Sequence, residues 1–437
     1  MKLLVNKFLN NRLINNFIVL LTGEGIVSVI GMLSLAIIVK TIGLEANGMI
    51  LSIIAYCQLM NNVFGFKSYQ ALIRYITIYL EKKENNMVKK YIYQSYFLDI
   101  AAALLAAISG FIFLEIYASF MDWNNEIVYY CKIFLIAYFS QIQGTPVGVL
   151  RAFNKFNFIT YNNVIISIIK LIGYLLGFIL GLRFKYFIIV EIILIVLPNI
   201  ILNIFAFNIL KKNNLHKFYK EKFKVEKEFF MFNFYSNISS TIDIPVGTLT
   251  TIFINKYLGY TDISIYKIFE KIGGMIGKLG APLNQIIYPE LNKYIAKKDY
   301  KRAKKINDKL VRYISLLGCF IIIGVYITHK YWLGMFIEDY YKYISSLLFY
   351  LIFIVFVNAT SSVHSLFMAL NYIKYNIPIL LIVNSIYLII MYALINMFRL
   401  NGVILSLLLQ GAAVIIIKLM IMRKNNYKEK VVEQEIA

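Results

Sequence analysis

Apolar residues in this chain fall in long unbroken blocks rather than in the alternation of half-buried strands. Blocks of roughly 20 residues or more lie near 17–39, 46–66, 91–114, 127–150, 160–181, 186–210, 229–254, 262–289, 308–328, 343–370, 375–397 and 401–422. A hydrocarbon layer of roughly 30 Å takes about 20 helical residues to cross. Only helices or closed barrels satisfy backbone polar groups in lipid, and the alternation of barrel strands is missing. The pattern therefore predicts an all-α polytopic membrane protein of about 12 transmembrane helices.

The polar segments between blocks repeat. Tyr79-Leu-Glu-Lys82-Lys83-Glu84 leading to Lys89-Lys90 matches Tyr294-Ile-Ala-Lys297-Lys298-Asp299 leading to Lys304-Lys305. At nearly the same offset of about 215 residues, Lys40-Thr-Ile-Gly43 falls on Lys256-Tyr-Leu-Gly259. Likewise Leu150-Arg-Ala152-Phe-Asn154 falls on Phe367-Met-Ala369-Leu-Asn371. Three separated matches in one register predict two pseudo-symmetric six-helix lobes, 1–210 and 229–437, joined by a basic linker, 211–228. In membrane carriers such repeats place the substrate at their interface.

Composition and charge sharpen the class. The chain is 60% hydrophobic, with a mean hydropathy of +0.68 over 437 residues, so lipid must solvate much of it. Most of the 45 Lys and Arg fall at 1–16, 67–90, 151–159, 211–228, 290–312, 371–376 and 418–437, all on one side if the N-terminus is cytoplasmic. The positive-inside rule then places both termini in the cytoplasm and explains the net charge of +22 without a nucleic acid partner. Lys2, Lys7 and Arg12 precede a first apolar run whose length favours a retained span over a removed signal.

Catalytic and metal signatures are missing. Gly273-Gly-Met-Ile-Gly277-Lys278 lacks the spacing and the Ser or Thr of a phosphate-binding loop. Three cysteines and three histidines show no ligand spacing. The basic connectors and short outer loops offer no room for a folded catalytic domain. These readings predict no enzyme activity, no metal and no cofactor.

The informative chemistry lies inside the apolar blocks. Lys267, Lys271 and Lys278 fall within roughly 40° of one another around a helix turning about 100° per residue. A charge at mid-bilayer costs about 3 kcal/mol, so such a stripe belongs in a water-filled cavity, where it would attract a phosphate or diphosphate. The alternatives are snorkelling by Lys267 and pairing of Lys271 with Glu270 or with an acid on a neighbouring helix. Lys170 is a further cation of this kind. Glu24, between Gly23 and Gly25, and Asp243, just before Pro245, occupy the first helices of their halves. There a carboxylate and freed carbonyls would suit H⁺ or Na⁺. Asp99 and Glu191 are further intramembrane acids, which either couple an ion or neutralise the lysines.

Phe64-Gly65-Phe66-Lys-Ser-Tyr-Gln-Ala71-Leu-Ile-Arg74-Tyr75 and Pro146-Val-Gly148-Val-Leu150-Arg151-Ala-Phe-Asn154 resemble the ends of spans 2 and 4 in bacterial polysaccharide flippases. These translocate O-antigen or capsule repeat units and belong to the multidrug/oligosaccharidyl-lipid/polysaccharide exporter superfamily. The stretch from Tyr266 to Pro289-Glu290-Leu291 shares the likeness. The resemblance implies a MATE-like fold with a central cationic cavity in the bacterial inner membrane. It also implies outward translocation of a polyprenyl-diphosphate-linked oligosaccharide by alternating access. Arg74 and Arg151 would then capture the headgroup or merely anchor the inner face. Membrane lipids and a polysaccharide polymerase complex are the implied partners of a monomeric flippase. A multidrug cation exporter of the same fold, or a membrane polymerase or ligase, are the competing classes.

Overall fold

The computed structural model describes residues 12–65, 68–221, 226–242 and 244–424, and among these every regular element is helical. Asp243, one of the acids named above, lies outside the described residues. Two compact units are present, Met1–Ile244 and Pro245–Ala437.

The first unit contains α1 (Arg12–Phe64), α2 (Ser68–Glu81), α3 (Asn85–Phe120), α4 (Asn125–Tyr138), α5 (Gly144–Ala152), α6 (Phe156–Ile179), α7 (Phe184–Lys212) and α8 (Lys227–Thr241). The second opens with a π turn, Pro245–Leu249. It continues as α9 (Thr250–Leu258), α10 (Tyr260–Ala296), α11 (Tyr300–Trp332), α12 (Ile344–Ala369) and α13 (Asn376–Lys424). Among the described residues, seven helices are long and apolar enough to cross a membrane. The other blocks of the sequence pattern fall on interrupted helices, such as α4 with α5 and α8 with α9, or on the lysine-bearing α10.

Two of the long helices contain a break. In α1 the chain turns at Gly43 (φ 83°, ψ 166°), and the matching residue between α9 and α10, Gly259, takes φ 96°, ψ −177°. Only glycine occupies this corner of backbone space without strain. In α13 the break falls on Arg399 (φ 52°, ψ −133°), a non-glycine residue held by its ion pair to Asp262 at 3.5 Å.

The internal repeat recurs in the way helices end. Lys83 and Lys298 both adopt φ 59°. Their N–H groups reach the carbonyls of Leu80 and Ile295, while those of Glu84 and Asp299 reach Tyr79 and Tyr294. This is the two-bond left-handed cap that satisfies the last carbonyls of a helix. The paired segments of the sequence thus encode the same stop signal twice.

Each unit has its own core. Leu72, Ile76, Ile92, Leu150, Leu210 and Phe229 are fully buried in the first, and Leu291, Ala303 and Phe367 in the second. Leu150 and Phe367 are repeat partners. Outside these cores the apolar surface is extensive: Ile116, Ile179, Phe320 and Ile389 are 70%, 72%, 73% and 72% exposed. Each such side chain in water would forgo about 1.5–3 kcal/mol, so lipid is their natural solvent and the chain is a multi-pass membrane protein. Cys57 and Cys131 are packed and Cys319 is exposed, all as free thiols.

Candidate functional site

Helix α10 begins after the Gly259 turn with Asp262 in its first turn, where an acid favours the helix dipole. Its apolar face is closed against α12. Ile265, Phe269 and Ile272 are buried, and Tyr266 meets Tyr350 edge-on with centroids 5.7 Å apart. Gly273 permits this approach, since a Cβ there would lie 2.7 Å from Tyr350 and 2.8 Å from Ile354. The opposite face carries Lys267, Lys271, Gly274 and Lys278. Lys271 and Gly274 are exposed, and a Cβ on Gly274 would meet nothing within 4 Å. The second unit therefore leaves Lys271 and Gly274 exposed, with Lys267 and Lys278 half-buried on either side of them. At 1.5 Å per residue the stripe extends about 16 Å from Lys267 to Lys278.

Within the stripe the Lys267 ammonium holds Glu270 at 2.6 Å. Residues three apart share a helical face, which is what lets Lys267 reach Glu270. Lys271 and Lys278 also make interactions within the chain.

In the first unit two intramembrane groups meet. Lys170 on α6 and Glu191 on α7 form an ion pair at 2.9 Å, and the Tyr174 hydroxyl donates to the same carboxylate oxygen. The Lys170 ammonium lies 5.0 Å from the Tyr174 ring centroid. Glu191 is buried, so the pair satisfies a charge that burial would otherwise penalise.

Asp99 is also buried and fully engaged. One carboxylate oxygen accepts from Ser68 Oγ at 2.5 Å. The other accepts from the Thr145 backbone N–H at 2.6 Å and lies 2.8 Å from Thr145 Oγ1, itself 2.8 Å from Ser95 Oγ. The carboxylate thereby caps the N-terminus of α5 and joins it to α2 and α3. Gly144 is required at this point, because a Cβ would approach Ser68 Oγ to 2.0 Å and Asp99 Oδ1 to 2.7 Å.

The remaining residues are dispersed. Arg74 is exposed with its guanidinium over Phe232 at 5.6 Å, and Arg151 is half-buried over Tyr69 at 5.0 Å. The buried Nε of Arg151 has no hydrogen-bond partner. Glu24 is half-buried in unbroken helix, and its carbonyl accepts from Ser28 Oγ at 2.7 Å. Gly23 seats α1 against Thr160 of α6, the role its lack of a side chain serves here.

A further buried cation was missed in the sequence. Lys418 is 4% exposed, with its ammonium 2.9 Å from His364 Nδ1 and over the Phe367 ring. Its place in the apolar run Ile415-Ile-Ile-Lys418-Leu-Met is the available signal, masked by its position at the start of the basic segment 418–437. Among the described residues no three His, Cys, Asp or Glu gather as metal ligands.

This architecture has known counterparts. The family model described as "Polysaccharide biosynthesis protein" matches residues 13–295. The inner membrane protein YghQ of Escherichia coli (strain K12) is 20% identical over 268 residues, covering 60% of this chain and 76% of that protein. A multidrug resistance MATE family transporter of the MOP superfamily, solved inward-facing, superposes with a TM-score of 0.69 at 12% identity, covering 92% of this chain and 96% of that one. The lipid II flippase MurJ, in an inward closed conformation, gives a TM-score of 0.69 at 15% identity over 96% of this chain and 91% of that one. With the duplicated helical units and the match over most of its length, the chain belongs to the polysaccharide biosynthesis protein family and has the MATE-like fold of the MOP transporter superfamily.

Proposed function

We propose that this protein is a flippase that moves a polyprenyl-diphosphate-linked oligosaccharide repeat unit from the cytoplasmic to the outer leaflet for surface polysaccharide assembly. The single observation that carries the reading is the stripe of Lys267, Lys271 and Lys278 along the face of α10 opposite α12, with Lys271 exposed. A diphosphate is the part of such a substrate that most resists crossing, because its charge must leave water. Lysines spaced over about 16 Å offer successive ammonium contacts, each worth about 4 kcal/mol at 4 Å with an effective dielectric constant near 20. Lysine is a mobile point charge and does not clamp the anion in a bidentate fork, which suits a cargo that must also leave. The same stripe would repel the organic cations of a multidrug exporter.

Family membership supports a role in polysaccharide assembly, and the solved lipid II flippase of the same fold supports a lipid-carried cargo. In this reading the basic connectors face the cytoplasm, Arg74 and Arg151 meet the headgroup there, and the two halves alternate in access. Glu24 and Asp243 are the proposed ion-coupling carboxylates. Lys170, Glu191 and Asp99, whose partners are described above, serve by shaping the first unit.

Equilibrium binding to the purified chain tests the reading. A short polyprenyl diphosphate should bind with at least about tenfold higher affinity than the polyprenyl alcohol, a difference of about 1.4 kcal/mol. Equal affinities would contradict a diphosphate site.

A further inference from the structure

Helix α11 carries Lys301, Lys304, Lys305, Lys309 and Arg312 along one side, and these line a groove of ≈ 590 Å³. The spacing of three, four and seven residues places them on one helical face. Among the described residues Asp308 is the one acid in the lining, and it already accepts from Asn307 at 3.2 Å. Asp299 does not serve the groove, because it pairs with Arg302 at 3.3 Å.

The repeat supplies a comparison. Lys89 and Lys90 are the counterparts of Lys304 and Lys305 in the first unit. There the chain after α7 returns to neutralise them, with Glu221 reaching Lys89 at 4.0 Å and Glu226 pairing with Lys90. The same helix start is covered by acids in one half and forms a cation-lined groove in the other.

The face continues beyond the cations. Tyr313 stands at the boundary with the Lys309 ammonium 5.6 Å from its ring centroid. Next along the same stripe come Leu316, Phe320, Ile323 and Ile327, which are 52%, 73%, 54% and 64% exposed. One helix face thus presents a cationic half, an aromatic boundary and an exposed apolar half, in the order of an anionic amphiphile. A soluble anion or an acidic peptide would use only the first half.

The geometry points to a binding site on α11 for an anionic membrane phospholipid, its phosphate held by Lys305, Lys309 and Arg312 and its acyl chain lying along Leu316 and Phe320. This site is separate from the lysines of α10 and independent of the cargo. It would fix the register of the second unit against the charged leaflet.

A tryptophan reporter tests it in the full chain. Leu316→Trp is placed in a Trp123→Phe, Trp332→Phe background and reconstituted in phosphatidylcholine vesicles containing dibrominated phosphatidylglycerol or dibrominated phosphatidylcholine. The expected result is quenching by the anionic lipid at a concentration at least about threefold lower. Lys305→Gln, Lys309→Gln, Arg312→Gln together should bring the two lipids to parity, and Lys89→Gln, Lys90→Gln should leave the preference intact. About 1 M salt should also erase it in the reporter protein with its native lysines, which covers a misfolded triple variant. Equal quenching by both lipids, a preference surviving the triple substitution, or displacement by millimolar inorganic diphosphate would each overturn the proposal. A short polyprenyl diphosphate displacing phosphatidylglycerol at equimolar amounts would overturn it too, by making the groove a cargo site.

Discussion

Asn154 and Asn371, which occupy matching places in the two halves, both hold left-handed backbone, with φ of 55° and 62°. The N–H of Asn154 reaches the Arg151 carbonyl and that of Lys155 reaches Leu150. In the second half Asn371 reaches Met368 and Tyr372 reaches Phe367. Leu150 and Phe367, which accept the bond from five residues on in each case, are also fully buried, so the helix cap and the core are specified by the same few residues twice.

Substitution at these caps should act alike in both halves. Asn154→Gly and Asn371→Gly should be neutral or raise stability by up to about 1 kcal/mol, since glycine is the preferred residue at this position. Asn154→Val and Asn371→Val should each cost about 1–2 kcal/mol through the left-handed backbone. Melting temperatures in one detergent would check both signs, and opposite effects in the two halves would break the equivalence.

The Asp99 node predicts a steep cost at one glycine. Gly144→Ala should destabilise strongly, because its new methyl must displace Ser68 Oγ and the carboxylate together. Asp99→Ala should cost about 1–3 kcal/mol for each polar group left buried without a partner, and Ser68→Ala much less. Denaturation midpoints of the three variants should fall in that order.

The α6–α7 ion pair predicts coupling. Lys170→Gln or Glu191→Gln alone leaves the other charge in an apolar setting, whereas the double substitution removes both. The double variant should therefore be more stable than the sum of the single effects by about 1–3 kcal/mol, measured in a double-mutant cycle. Strict additivity would show that the pair contributes nothing.

That pair was within reach of the sequence. Lys170 and Glu191 lie almost equally far before and after the Gly181 turn, and in a helical hairpin such residues meet side by side. The apolar blocks, the repeat and the basic segments were legible because each depends on local composition or on spacing along the chain. The Asp99 node was not, since Ser68, Asp99 and Thr145 come from three helices whose packing no local pattern encodes. For Lys267 and Glu270, helical spacing is sufficient, since residues three apart share a face. The cationic stripe itself was read from spacing, and the structure adds that α12 covers the opposite face.

The most direct test of the account is the outward appearance of a labelled polyprenyl-diphosphate oligosaccharide in proteoliposomes. It compares the native chain with a Lys267→Ala, Lys271→Ala, Lys278→Ala variant of matched melting behaviour. Loss of two or more ammonium contacts should lower the rate at least about tenfold, the factor that about 1.4 kcal/mol represents. Transport by the variant at the native rate would contradict the assignment of the stripe as the diphosphate path.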